Sequence, residues 1–146
     1  MSRVALLRHG STPANEQWLY CGATDISLSE RGRAILAAKR ALGGYEGLEG
    51  RRVLTSGMKR TNETLQILFG EVPYEVDSRF REVDFGDFEL HSYEQLKEDP
   101  AYQQWLTGDN ERNVPPGGES GAQMTARVLS AYRGLTEDTC LVTHGG

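Results

Sequence analysis

Three short, unbroken apolar runs constrain this chain more than any other feature: Val4-Ala5-Leu6-Leu7, Val53-Leu54 within Arg52 to Thr55, and Cys140-Leu141-Val142. A run without polar alternation is the pattern of a strand covered on both faces, as in a parallel sheet. Helical stretches stand between the runs. One is expected from Leu28 to Leu42, with Ser27 and Glu30 at capping-box spacing and Leu28, Ile35, Ala38 and Leu42 on one face. Gly43-Gly44 would stop it. A second is expected from Lys59 to Phe69, ending at Gly70, and a third from Ser120 to Leu135, with Met124, Val128, Ala131 and Leu135 inward. Pro73 to Val76 suits an edge strand, because proline removes a ladder donor. Ser92 to Leu106 reads as one or two short helices split at Asp99-Pro100, and Asn113 to Gly118 as a loop. Strands alternating with helices give an α/β fold with a mostly parallel sheet, a three-layer αβα sandwich.

The 146 residues suffice for one domain spanning 1–146, and no internal repeat divides them. The formal net charge of −5 repels polyanions, which argues against nucleic acid or an anionic membrane as the principal partner. Val4 to Leu7 is too short for a signal segment or a membrane span, so the expected location is cytoplasmic. Cys21 and Cys140 read as free thiols in a reducing compartment, and two distant cysteines make neither a disulfide framework nor a zinc site.

Ligands of open α/β sheets bind beyond the carboxyl ends of the strands. Two of the three histidines stand there: His9 after the first apolar run and His144 after the last, each followed by glycine. His91 lies in a polar stretch and reads as a surface residue. Arg8 and Arg60 belong to the same end of the sheet. Two guanidinium groups converging on two imidazoles repel one another unless an anion sits among them. A phosphate fits, because guanidinium forks match its oxygens.

Leu7-Arg8-His9-Gly10-Ser11-Thr12-Pro13-Ala14-Asn15 resembles the opening signature of the histidine phosphatase superfamily, which includes the phosphoglycerate mutases. Five further blocks resemble that family in order. They are Tyr20-Cys21-Gly22-Ala23-Thr24-Asp25, Thr55-Ser56-Gly57-Met58-Lys59-Arg60-Thr61, Arg81 to Glu89, Gly117-Gly118-Glu119-Ser120, and Val142-Thr143-His144-Gly145. The resemblance implies a phosphoglycerate mutase-like fold and a phosphohistidine mechanism. His9 would be the nucleophile, Glu82 the general acid and base, and Arg8, Arg60 and His144 the groups holding phosphate oxygens. Asn15 would donate to the same phosphate, while Thr12, Cys21 and Gly22 would line the substrate side. No cofactor and no metal is implied. The rival assignment of His9, His144 and Glu82 to a metal site is opposed by the adjacent arginines, which would repel a divalent cation.

Among family members, the mutases need extra basic residues for a second phosphate. Here Asp84 to Pro116 carries only Lys97 and Arg112 among many acids, which favours a phosphate monoester hydrolase acting on a small phosphorylated metabolite. The blocks at Tyr20–Asp25 and Phe85–Leu90, and the run from Tyr93 to Trp105, look most like α-ribazole phosphatases of cobalamin biosynthesis. The alternatives are a phosphoglycerate mutase or a truncated, non-catalytic phosphate-binding protein. Phe88 stands where the family usually has tryptophan, and Leu90 where many members have glycine. Relatives usually continue beyond the second histidine with a helix and a strand. A C-terminally truncated domain is therefore expected, with apolar surface or an open edge at Cys140-Leu141-Val142 or a neighbouring strand, and with it self-association into a homo-oligomer.

Overall fold

The structure, a computed structural model, describes residues 2–45, 47–48, 50–109 and 111–145. Four strands form one sheet: β1 (Val4–Arg8), β2 (Arg52–Thr55), β3 (Glu75–Val76) and β4 (Thr139–Thr143), in the order β1-β4-β2-β3. Every pairing is parallel, with Leu7 opposite Val142 and Leu54 opposite Leu141. The three apolar runs thus become the three longer strands. β4 lies between β1 and β2, and Thr139 to Val142 are all buried. β3 is a short edge strand, where Pro73 does no harm to the ladder.

Helices α1 (Pro13–Glu16), α2 (Glu30–Ala41), α3 (Lys59–Phe69), α4 (Tyr93–Leu96), α5 (Pro100–Leu106) and α6 (Gly121–Arg133) connect and cover the strands. One face of the sheet packs Leu7, Val53 and Val142 against Leu28, Leu36, Leu65 and Leu68 of the α2–α3 layer. The other packs Val4, Leu54 and Leu141 against Phe80 and against Val128, Ala131 and Leu135 of the α6 segment. The result is the three-layer sandwich. A separate aromatic cluster joins Tyr20, Phe85 and Phe88 to Tyr102 and Trp105 of α5.

Two expectations about α2 are corrected. The cap is Ser29, whose hydroxyl accepts from Gly32 N at 2.9 Å, not Ser27. The inward face is Gly32 and Leu36, while Ile35 and Leu42 are exposed. The cause is a close backbone crossing: a Cβ on Gly32 would lie 2.2 Å from the carbonyl oxygen of Ser11. The Ser29 amide bonds that same oxygen at 3.0 Å, turning this face towards the loop after β1. Of the two places expected for an open edge, the structure selects β1. Its Leu6 is 61% exposed on the α6 face, whereas β4 is enclosed. Helix α1 was not anticipated.

Candidate active site

Parallel pairing carries β1 and β4 to the same end of the sheet, and the bond from His9 N to Thr143 O at 3.0 Å extends their ladder by one rung. The two imidazoles meet edge to face, centroids 5.2 Å apart at 64°. His9 Nδ1 lies 2.6 Å from Gly10 O. A carbonyl can only accept, so Nδ1 carries the proton and the lone pair is on Nε2.

His144 is held the other way. Its Nε2 lies 2.9 Å from Ser56 Oγ, which lies 3.2 Å from Thr61 Oγ1, and Thr61 donates to Met58 O at 2.8 Å. Thr61 spends its proton on the carbonyl, so Ser56 donates to Thr61 and accepts from His144 Nε2–H. The Nδ1 of His144 is buried without a hydrogen-bond partner among the described residues. Burial is the main reason both imidazoles are poor bases, with Arg60 and Arg8 adding charge repulsion. The pKa falls to about 4 for His9 and about 3 for His144.

Arg60, on the first turn of α3, is 1% exposed. Its guanidinium donates to Thr24 O at 2.8 Å and Gly22 O at 2.7 Å. Glu89 grips the same loop, accepting from Gly22 N, Thr24 N and Phe85 N. Gly22 has no alternative, because a Cβ would lie 1.6 Å from Val83 O. Cys21 is half-buried, its thiol bonded to Thr24 O and its pKa pushed up by burial. Thr12, expected on the substrate side, is instead buried. Its hydroxyl accepts from Asn15 N and its own amide and hydroxyl reach Asn15 Oδ1, closing the capping box of α1. Arg8, His9 and Asn15 line a common cavity of about 260 Å³.

Glu82 lies between two 3₁₀ turns, Ser78–Phe80 and Gly86–Phe88, and shares a cavity of about 180 Å³ with His144. Its Oε1 accepts from Val83 N at 2.9 Å. The surrounding backbone is clamped by Arg127 of α6, which donates to the carbonyls of Arg79, Arg81 and Glu82 and pairs with Glu119. Glu119 in turn accepts from Asp84 N. Sequence reasoning placed Glu119, Glu89 and Ser56 in family blocks without a role, and missed Arg127. A helical arginine beside Val128 carries no mark that it faces a loop 45 residues away. His91 is exposed, as expected. Among the described residues no cluster of three His, Cys, Asp or Glu side chains could hold a metal ion, and no helix is long and apolar enough to cross a membrane.

Residues 4–146 match the model of the histidine phosphatase superfamily, branch 1. The chain belongs to that superfamily. It is 32% identical to the adenosylcobalamin/α-ribazole phosphatase of Salmonella typhimurium, over 99% of this chain and 74% of that protein. The fold is shared with a candidate α-ribazole-5′-P phosphatase from Escherichia coli, at TM-score 0.83 and 25% identity, over 98% of this chain and 73% of that one. A phosphoglycerate mutase from Thermus thermophilus superposes at TM-score 0.77 with 32% identity, over 98% and 78%. This chain therefore spans about three quarters of the length of these superfamily relatives.

Proposed function

We propose that this chain hydrolyses phosphate monoesters through a phosphohistidine on His9. The observation that carries the proposal is the His9–Gly10 hydrogen bond, which leaves Nε2 with its lone pair on a neutral ring at physiological pH. In the first step Nε2 forms a bond to phosphorus as the ester oxygen departs, and Glu82 gives that oxygen its proton. In the second, Glu82 takes a proton from water, which attacks phosphorus and returns His9 Nε2 with its lone pair. Arg8, Arg60 and Asn15 stabilise the charge spread over the phosphoryl oxygens, and His144, whose Nε2–H is held by Ser56, joins them once the charge of the bound anion favours a proton on its Nδ1.

Phosphatase is favoured over mutase by the fate of the two bases between Asp84 and Pro116. Lys97 lies beside Glu94 and Arg112 beside Asp109, acids whose charge would oppose a second phosphate there. The relative's name makes α-ribazole 5′-phosphate the substrate of first choice. The free thiols of Cys21 and Cys140 suit a reducing, cytoplasmic setting.

The test is release of p-nitrophenolate from p-nitrophenyl phosphate, with an acid-labile phosphoryl-enzyme trapped from radiolabelled substrate. Turnover should persist in EDTA, since arginines and imidazoles neutralise the phosphate. Isomerisation of 3-phosphoglycerate outpacing hydrolysis would establish the mutase reading instead. Loss of turnover in EDTA, restored by Zn²⁺ or Mg²⁺, would return the site to metal chemistry.

A further inference from the structure

Only two non-glycine residues among those described have positive φ: Trp18 at +57° and Leu90 at +62°. They flank one structure. Trp18 follows α1 as the left-handed residue of a Schellman turn, with Leu19 N bonded to Ala14 O at 2.9 Å and Trp18 N to Asn15 O at 3.3 Å. Glycine is the usual occupant of that position, because a side chain there is strained. The chain then pairs with the segment after Leu90. Leu90 N donates to Tyr20 O at 2.6 Å, Tyr20 N to His91 O at 3.0 Å, and Leu19 bridges Ser92 antiparallel. This two-rung ribbon brings Tyr93, the first residue of α4, opposite Trp18.

Between them lies a cavity of about 590 Å³ lined by Arg8, Asn15, Trp18, Leu19, Tyr20 and Tyr93. Arg8 and Asn15 also line the cavity that contains His9, so the two spaces adjoin. Trp18 is 86% exposed and Tyr93 56% exposed. An indole held in a strained conformation and turned to water gains nothing from the fold itself. Strain of this kind persists where a binding function selects it. The cavity has the size of a small-molecule site and, apart from Arg8, no charged group in its lining. Its aromatic lining suits a planar, uncharged guest.

We infer that Trp18 and Tyr93 recognise a flat, uncharged aromatic group carried by the alcohol half of the phosphate monoester. The inference rests on the reading that His9 receives the phosphoryl group, with Arg8 and Asn15 at the junction. An ester whose phosphate is held by Arg8 and Asn15 has this cavity as the adjoining space for its alcohol.

Two measurements separate the inference from the reading beneath it. The first uses 2-(naphthyl)ethyl phosphate and 2-(cyclohexyl)ethyl phosphate, alkyl esters with similar leaving groups. Wild-type protein should favour the naphthyl ester in kcat/KM by about 10-fold, roughly the worth of one aromatic stacking contact. Trp18→Gly should raise KM for that ester by about the same factor. It should leave kcat for the naphthyl ester unchanged and raise KM for the cyclohexyl ester by much less, so that the preference between the two esters collapses, and it should not lower the melting temperature, since glycine relieves the strain. A merely structural tryptophan would give the opposite pattern.

The second titrates naphthylmethylphosphonate and butylphosphonate, which cannot be turned over, by calorimetry against wild type and Trp18→Gly. If the naphthyl preference appears in binding but neither ester is hydrolysed, the aromatic site stands and the phosphatase reading falls. Equal affinity for the two phosphonates, or a preference that survives in Trp18→Gly, overturns the inference whatever the turnover.

Discussion

The carboxyl ends of β1 and β4 look alike in sequence and differ in hydrogen bonding. Each places a histidine after an apolar strand and before a glycine, and each imidazole is half-buried and held neutral. At β1 the backbone fixes the ring: Gly10 O accepts from Nδ1–H and Nε2 keeps the lone pair. At β4 a side-chain relay fixes it: Ser56, Thr61 and the Met58 carbonyl in series leave the proton on Nε2. Two identical side chains 5.2 Å apart are thus set in opposite tautomers. At the same atom, Nε2, one ring keeps a free lone pair and the other an N–H committed to Ser56. Residue type alone does not assign roles; the neighbour that takes each ring proton does.

The largest test of that asymmetry is substitution of each histidine in turn. His9→Ala should abolish turnover and leave no acid-labile phosphoryl-enzyme, while the fold persists. His144→Ala should lower turnover by about 10²–10³, the scale of losing one donor to the transition-state charge, and should still trap phosphate. Radiolabel accumulating on His9→Ala at the wild-type level would end the assignment of His9 as nucleophile. Complete loss of trapping in His144→Ala would erase the distinction between the two ends.

Next in size is Glu82, which shares its cavity with His144. Glu82→Gln should reduce turnover of alkyl phosphates by about 10²–10⁴, the usual contribution of a general acid. The loss should be much smaller for p-nitrophenyl phosphate, whose leaving group hardly needs a proton. An equal loss on both ester classes would show that Glu82 acts on something other than the leaving oxygen.

Much of this arrangement is legible before folding. The apolar runs announce the parallel strands, Gly70 ends α3 where expected, and Asp99-Pro100 divides α4 from α5. Position after a strand brings His9 and His144 to one end. What the sequence hides is contact between segments far apart in the chain. The inward face of α2 is set by the crossing of Gly32 over Ser11, which no helical period reveals. Thr12 resembles a site residue because it stands in the signature, yet its hydroxyl is consumed by the α1 cap. The grip of Arg127 on Glu82 joins α6 to a loop with no periodicity of its own. Periodicity reports which face is covered, and it cannot report which polar atoms meet across a turn.

A third test uses pH. Both imidazoles have folded-state pKa values below the unfolded value of 6.5, about 4 for His9 and about 3 for His144. Below pH 6.5 the unfolded chain therefore binds protons that the folded chain refuses. The stability is fully present above pH 6.5 and is lost as pH falls towards 4. For His9 alone the complete loss is on the order of 3 kcal/mol. Urea unfolding at pH 7, 6 and 5 should show a progressive decline, and NMR titration should show both imidazoles protonating well below pH 6.5. Equal stability at pH 7 and pH 5, or ordinary titration of either ring near 6.5, would contradict the desolvation of the pair.

The smallest effect is the most specific to the comparison. Ser56 is buried and accepts from His144 Nε2–H, whereas the acceptor beside His9 is the backbone carbonyl of Gly10. Ser56→Ala removes that acceptor and leaves Nε2–H and the Thr61 hydroxyl short of a bond, a loss of about 1–2 kcal/mol in stability. The freed ring can then exchange tautomers or turn, so Nδ1 is no longer held in one position to meet the phosphate. Turnover should fall severalfold, by far less than in His144→Ala, and phosphoryl-enzyme should still form because His9 is untouched. Nitrogen-15 shifts of the ring atoms give the direct readout. In the wild type His144 should report Nε2–H and His9 Nδ1–H. In Ser56→Ala only the His144 signals should move, towards a mixture of the two forms. If His144 keeps Nε2–H in the variant, the relay through Ser56 does not set its tautomer. If both rings report the same tautomer in the wild type, the two ends are equivalent and the geometry no longer singles out His9.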